Sequence, residues 1–161
     1  METTFEKVKL FRKQMEILLP KGFKDMPDYI AKKKYPSKHR PPVILMNEDN
    51  RVNFTFHLMD TAFAESQLKK AAEGFVKSMK QVYTNAKFQD LQYDERNDGS
   101  RIAWLSYESM AIDADIFNMM FITSLEGKML YGSFNCIRGM QNEWEETAVY
   151  CIRTIKRLEE E

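Results

Sequence analysis

RVNFTFHL, residues 51–58, alternates apolar and polar side chains without a break. Val52, Phe54, Phe56 and Leu58 fall on one parity, and Asn53, Thr55 and His57 on the other. A period of two marks a β-strand, because successive side chains point to opposite faces. The pattern predicts a half-buried strand. VILM, residues 43–46, precedes it across the turn cluster Asn47-Glu48-Asp49-Asn50, so the two read as a hairpin.

Working outward toward the C-terminus, the period changes at Glu65 to Tyr83. Leu68, Ala72, Phe75, Val76, Met79, Val82 and Tyr83 form one helical stripe, with Lys69, Lys70, Glu73, Lys77 and Lys80 away from it. Gly74 lies inside this helix at a cost of about 1 kcal/mol relative to alanine, and is expected where the helix closely approaches the sheet. Phe88 to Tyr93 reads as an edge strand of irregular parity. Asn97-Asp98-Gly99 is a hairpin turn, since these residues tolerate positive φ. Arg101 to Met110 follows as a strand. Asp115 to Thr123, DIFNMMFIT, is apolar on both parities, which predicts a central strand covered on both faces. Glu126-Gly127 turns the chain into Lys128 to Cys136. A helix is expected over Gln141 to Leu158, with Trp144, Ala148, Cys151, Ile152, Ile155 and Leu158 inward. Its acids lie early and its bases late, which suits the helix dipole.

Toward the N-terminus, Met26 to Lys34 reads as a short helix with Pro27 in its first turn. Tyr35-Pro36 ends it, because the residue before proline is pushed out of the helical region. The first segment admits two readings. Phe5, Val8, Phe11, Met15 and Leu18 match one helical face, and Lys9 to Phe11 with Met15 to Leu19 match two strands around Arg12-Lys13-Gln14. Pro20-Lys21-Gly22 ends either version. The element order predicts an α+β fold, an antiparallel β-sheet of about six or seven strands flanked by helices, as a single domain over residues 1–161.

Composition narrows the function. Hydrophobic residues make up 43% of the 161 and charged residues 30%, with zero formal net charge. A neutral chain is a poor candidate for bulk nucleic-acid binding, which depends on neutralising phosphates. No apolar run approaches the ~20 residues that span a bilayer, and METTFEKVKLFRK is not the pattern of a secretory signal. Cys136 and Cys151 fit neither a disulfide framework nor a zinc pattern and read as small apolar residues. A reduced, cytoplasmic protein without membrane or nucleic-acid partners is expected.

Catalytic signatures are absent: the six glycines are scattered, and there is no HExxH and no glycine-flanked serine. No catalytic residue, cofactor or metal is assigned. His57, near Asp60, is the one candidate general base, since histidine titrates near neutrality. Asp113 and Asp115, with Asp94 and Glu95, read as turn or bulge residues rather than as a metal cluster. Met119 and Met120, with Met110 and Met129, read as core filling. The charge-bearing exception is KKKYPSKHRPP, Lys32 to Pro42, with five Lys or Arg side chains and no acid. Its lysines suit the end of the preceding helix, Tyr35 is expected to pack on the sheet, and Pro36, Pro41 and Pro42 stiffen the connection to the next strand. Two readings stand for it, a solvated loop and a docking site. The candidate partner-binding residues are Lys32, Lys33, Lys34, Lys38, His39 and Arg40.

The run KKKYPSKHRPPVILMNEDNRVNFTF resembles a group of small uncharacterised bacterial proteins. The features carrying the likeness are Lys-Tyr-Pro-Ser with Arg40-Pro41, Asn47-Glu48-Asp49 and Val52-Asn53-Phe54. LLPKGF (18–23), FITSLEGK (121–128) and GSFNC (132–136) extend it along the chain. More distantly the element order resembles the PsbP-like fold of photosystem II extrinsic proteins, a Ran-binding import factor, the lipoprotein DcrB and effector chaperones. The resemblance implies an antiparallel sheet sandwiched by helices, two strands at the N-terminus, and non-catalytic binding roles. The leading expectation is a non-enzymatic binding or adaptor domain acting on another protein. The alternative is a small hydrolase-like enzyme using His57 in a sheet-face pocket.

Overall fold

The computed structural model describes residues 3–110 and 115–158. Its strands are β1 (Phe5–Leu10), β2 (Met15–Pro20), β3 (Lys24–Asp25), β4 (Val43–Met46), β5 (Val52–Ala62), β6 (Lys87–Phe88), β7 (Gln92–Glu95), β8 (Arg101–Met110), β9 (Asp115–Leu125), β10 (Lys128–Ile137) and β11 (Lys156–Arg157). The helices are α1 (Asp28–Lys34), α2 (Leu68–Val82) and α3 (Gln141–Arg153). An eight-stranded sheet runs β3-β4-β5-β10-β9-β8-β6, with β7 also on the outer edge of β8, and a three-stranded sheet runs β1-β2-β11. Every pairing is antiparallel. The fold is α+β, and short edge strands raise the strand number above the expectation.

The N-terminal ambiguity resolves to two strands. Phe11, Arg12 and Lys13 all take positive φ between them, and the Gln14 N–H closes the turn on the Phe11 carbonyl at 3.1 Å. None of the three is glycine, so no residue signal marks this turn. By contrast Glu126 (φ 53°) and Gly127 (φ 74°) form the two-residue, doubly positive turn that suits a hairpin's twist.

Register places large side chains in rows across the big sheet. Phe54, Phe134, Met119 and Ser106 lie side by side on one face. That face carries the main core, covered by β2 through Met15, Ile17 and Leu19 and by α3 through Ala148, Cys151 and Ile152. Trp144 meets Phe23 and Phe134 with ring centroids 5.9 and 6.1 Å apart, joining α3 to the sheet. The opposite face is covered by α2 over Ala103, Leu105, Met120 and Ile122, and by α1 over Ile44 and Met46. β9 is therefore buried on both faces, as its double-parity apolar run predicts. Met119 and Met120 are core residues, whereas Met110 is 74% exposed.

Four local readings are corrected. β5 is half-buried only from His57 onward: Asn53 and Thr55 on its polar parity are 2% and 1% exposed, because the covering layer extends over them. Phe88 to Tyr93 is not one strand but two, β6 and β7, with the Gln89 N–H held by the Ser106 carbonyl between them. α3 stops at Arg153, where the Thr154 hydroxyl donates to the Cys151 carbonyl (2.6 Å) and accepts from the Leu18 N–H (2.9 Å). Ile155 is buried beyond the helix, and Leu158 donates its N–H to Gln14. Gly74 has open space where a Cβ would stand, whereas Gly132 is the position of close approach. Gly132 lies between Phe56 and Phe121 in the register, and their rings meet edge-on above it at 5.9 Å.

A Cβ at Gly132 would strike the Phe121 ring and the Thr55 carbonyl. Gly132→Ala is expected to destabilise the fold by about 3 kcal/mol or more, since overpacking forces backbone to move. Gly74→Ala is expected to stabilise it by about 0.5–1 kcal/mol. Urea denaturation of the two variants checks both signs.

Burial pushes the Cys136 and Cys151 thiols from their ordinary 9.0 up to about 12, with the Glu143 charge adding to the effect at Cys136. The unfolded chain thus releases these protons near pH 9, before the folded chain does. Their contribution to stability is complete below that pH and is lost as pH rises toward 12. Tyr107 and Tyr131, raised above 10.0 chiefly by burial, act in the same direction at higher pH. The urea midpoint is expected to fall between about pH 8 and about pH 10.5, and less in a Cys136→Ala/Cys151→Ala variant.

Candidate functional site

The face of the large sheet under α1 carries a polar row. Asn53, Asn135, Asn118 and Tyr107 stand side by side on β5, β10, β9 and β8. Asn53 Nδ2 donates to Asn135 Oδ1 (3.1 Å), and Asn135 Nδ2 donates to the Tyr35 hydroxyl (2.9 Å). Thr55 and Ser133 share a hydroxyl–hydroxyl bond of 2.6 Å in the next row. Asn118 Nδ2 donates to Ser109 Oγ at 2.8 Å. Tyr35 caps the C-terminus of α1, so this chain of bonds ties the end of the helix to the sheet. Burial raises the Tyr35 pKa against the opposing effect of the Asn135 bond, so the phenol is neutral at physiological pH.

The basic segment begins at that anchor. Lys32, Lys33 and Lys34 occupy the last turn of α1, where cations suit the helix dipole. Lys34 Nζ donates to the Asn50 carbonyl (2.6 Å) and to Asn50 Oδ1 (3.1 Å), fixing α1 to the β4–β5 turn. Partial burial lowers the Lys34 pKa, and Asp49 opposes that shift. Arg40 Nε donates to the Tyr35 carbonyl at 3.0 Å, and the Arg40 N–H reaches the Ser37 carbonyl at 3.2 Å. The His39 N–H donates to Ser37 Oγ at 3.1 Å. Lys32, Lys33, Lys38 and His39 are exposed. The six candidate residues thus divide by bonding: the side chains of Lys34, itself exposed, and Arg40 are bonded within the chain, and those of the other four are exposed without such a bond among the described residues.

His57 is exposed, and among the described residues its side chain has no hydrogen bond to an acid or hydroxyl. Asp60 pairs instead with Lys128 at 3.3 Å. Tyr131 is the neighbour of His57 on β10. Asp94 accepts from Trp104 Nε1 at 2.8 Å, Asp115 opens β9, and Asp113 lies outside the described residues. Among the described residues no three His, Cys, Asp or Glu side chains group to hold a metal, and no helix is long and apolar enough to cross a membrane. The asparagine row escapes sequence reasoning, because its members lie on four separate strands and meet only when the register aligns them. The Asn135 of GSFNC and the Asn53 of VNF are its only sequence traces.

No protein-family model matches the chain, and no curated protein matches it in sequence. Solved structures do match in shape. The cyanobacterial PsbP (CyanoP) of Synechocystis superposes with a TM-score of 0.67 at 10% identity, over 98% of this chain and 95% of that one. LpqN of Mycobacterium tuberculosis, involved in cell envelope biogenesis, gives 0.58 at 10% identity, over 99% and 93%. The Ran-binding protein Mog1p of Saccharomyces cerevisiae gives 0.54 at 13% identity, over 96% of each chain. At such identities the likeness establishes the fold, which is PsbP-like.

Tyr35→Phe removes the acceptor of Asn135 Nδ2 and is expected to cost about 1–2 kcal/mol, the range for an orphaned buried donor. Replacing both partners, Tyr35→Phe with Asn135→Leu, is expected to cost less than the sum of the two single changes. Denaturation of the four proteins gives the coupling directly.

Proposed function

We propose that this chain is a single, non-enzymatic binding domain of the cytoplasm that docks on an acidic surface of another protein through Lys32 to Pro42. One observation carries the reading: the segment is tied down at Lys34, Tyr35 and Arg40 while Lys32, Lys33, Lys38 and His39 remain exposed. A segment whose backbone is tied down before contact loses less entropy on binding than a free loop. The exposed lysines of the segment, with no acid among them, also steer a negatively charged surface into register. Mog1p, a Ran-binding protein, shares the fold, which supports a protein partner. A reduced compartment is supported by two free, buried thiols. The partner's contact surface is rich in Asp and Glu. Nucleic acid fits less well, because one basic loop without stacking aromatics makes a weak strand-binding platform.

The test leaves Lys34 and Arg40 intact, since they hold the segment. Wild type and Lys32→Glu/Lys33→Glu/Lys38→Glu serve as paired baits in nuclease-treated cytosol. The triple reversal is expected to lose a partner that wild type retains, with affinity for the purified partner reduced at least about tenfold at low salt. The wild-type complex should also weaken as salt rises. Equal capture by both baits, or by neither, contradicts the reading.

A further inference from the structure

A second site lies over β8, away from α1. A cleft of about 580 Å³ opens where the turn into α2 passes the start of β8 and the middle of β7. That volume lies within the ordinary range for small-molecule sites. Leu68 and the Tyr93 ring give it an apolar side, and Lys69 and Arg101 give it two cations against the single acid of the lining, Glu65. The Arg101 guanidinium sits over the Tyr93 ring, 5.8 Å from its centroid, so a cation–π contact sets its position. Among the described residues, neither the Arg101 guanidinium nor the Lys69 ammonium has an ion-pair partner. The nearby Glu65 carboxylate accepts from the Arg101 backbone N–H at 2.7 Å, which holds the turn to β8.

The Tyr93 hydroxyl is the second observation. It is one of two buried side-chain polar atoms among the described residues with no hydrogen-bond partner. A buried hydroxyl without an acceptor costs about 1–3 kcal/mol, and this one is closed to solvent, so an occupant of the open cleft meets the Tyr93 ring and reaches the hydroxyl only if the wall shifts. Burial first, and then the Glu73 charge, raise its pKa against the effect of Arg101, so the phenol keeps its proton and can donate.

We propose that this cleft binds a small amphipathic carboxylate, an organic acid with an apolar body. The Arg101 fork and Lys69 take the carboxylate, and Leu68 and the Tyr93 ring take the body. A planar carboxylate matches the guanidinium fork in two parallel bonds. The apolar side separates this ligand from inorganic anions, which leave Leu68 and the ring unused. The site shares no residue with Lys32 to Pro42, so each proposal stands or falls alone.

The test is an NMR titration of the whole ¹⁵N-labelled chain with octanoate, 3-phenylpropionate, octanamide and inorganic phosphate. Saturable shifts are expected at Ser66, Leu68, Lys69, Tyr93 and Arg101 with either carboxylate. Octanamide and phosphate are each expected to bind at least about tenfold more weakly than octanoate, lacking either the charge or the body. Arg101→Gln should raise the Kd for octanoate at least about tenfold. The spectrum of each variant reports its own folding, and Lys69→Gln provides a second charge deletion where Arg101→Gln unfolds. No saturable shift up to about 10 mM carboxylate overturns the proposal, that being weaker than any specific site. Equal binding of octanamide, or an unchanged Kd in a folded charge-deletion variant, also overturns it.

Discussion

β9 and the first half of β5, residues 52–56, are buried on both faces, and β10 is buried on one face and half-buried on the other, so their polar side chains have to find partners inside the protein. Buried amides and hydroxyls without partners cost more than the bonds themselves gain. Asn135, Thr55, Ser133 and Thr123 meet this demand by pairing across strands or with Arg96, and Asn53 meets it through Nδ2 alone, its Oδ1 having no partner among the described residues. Arg96, itself buried, spends its guanidinium on Asp98, Thr123 and the Ser124 carbonyl, fixing the β7–β8 turn to the end of β9. Burial opposes ionisation of Asp98, but the bonds from Arg96 and the Ser100 N–H outweigh it and lower its pKa. The polar contacts therefore decide the register that the apolar faces alone would leave open.

The same demand links the core to the surface. Asn135 completes its bonds only by donating to Tyr35, which belongs to the end of α1 rather than to the sheet. Satisfying an internal amide thus positions the start of the basic segment, and Lys34 and Arg40 extend the hold by one residue before it and five after. A segment whose composition suggests a mobile loop is instead fixed at three points, leaving Lys32, Lys33, Lys38 and His39 to face solvent. The demand is unmet at two atoms among the described residues, Asn53 Oδ1 in the asparagine row and the Tyr93 hydroxyl on the other half of this face.

Much of the fold is legible from periodicity. The alternation of RVNFTFHL, the double-parity run of β9 and the Glu126-Gly127 turn each translate directly into observed structure. The features that escape periodicity depend on tertiary partners. FEKVKLFRKQMEILL fits two periods, and its turn uses three non-glycine residues with positive φ. Ile155 keeps helical spacing but is buried outside the helix, because β2 recruits the following residues as β11. Gly132 looks like any strand glycine until Phe56 and Phe121 are seen to meet above it. The candidate site is half legible: charge marks Lys32 to Pro42, but only structure separates the four outward side chains from the two that anchor. The asparagine row and the cleft at Tyr93 need the register before either exists as a site.

The claim that the basic segment is held in place by the sheet is tested most directly by native-state hydrogen exchange at the Tyr35 and Arg40 amides. Both N–H groups are bonded within the segment, to Ala31 and Ser37. If the anchors hold, these amides exchange well below the rate of an unstructured peptide, and their protection falls when Tyr35 loses its hydroxyl. If they exchange at the unstructured rate in the wild-type chain, the segment is a free loop, and the preorganised docking surface does not exist.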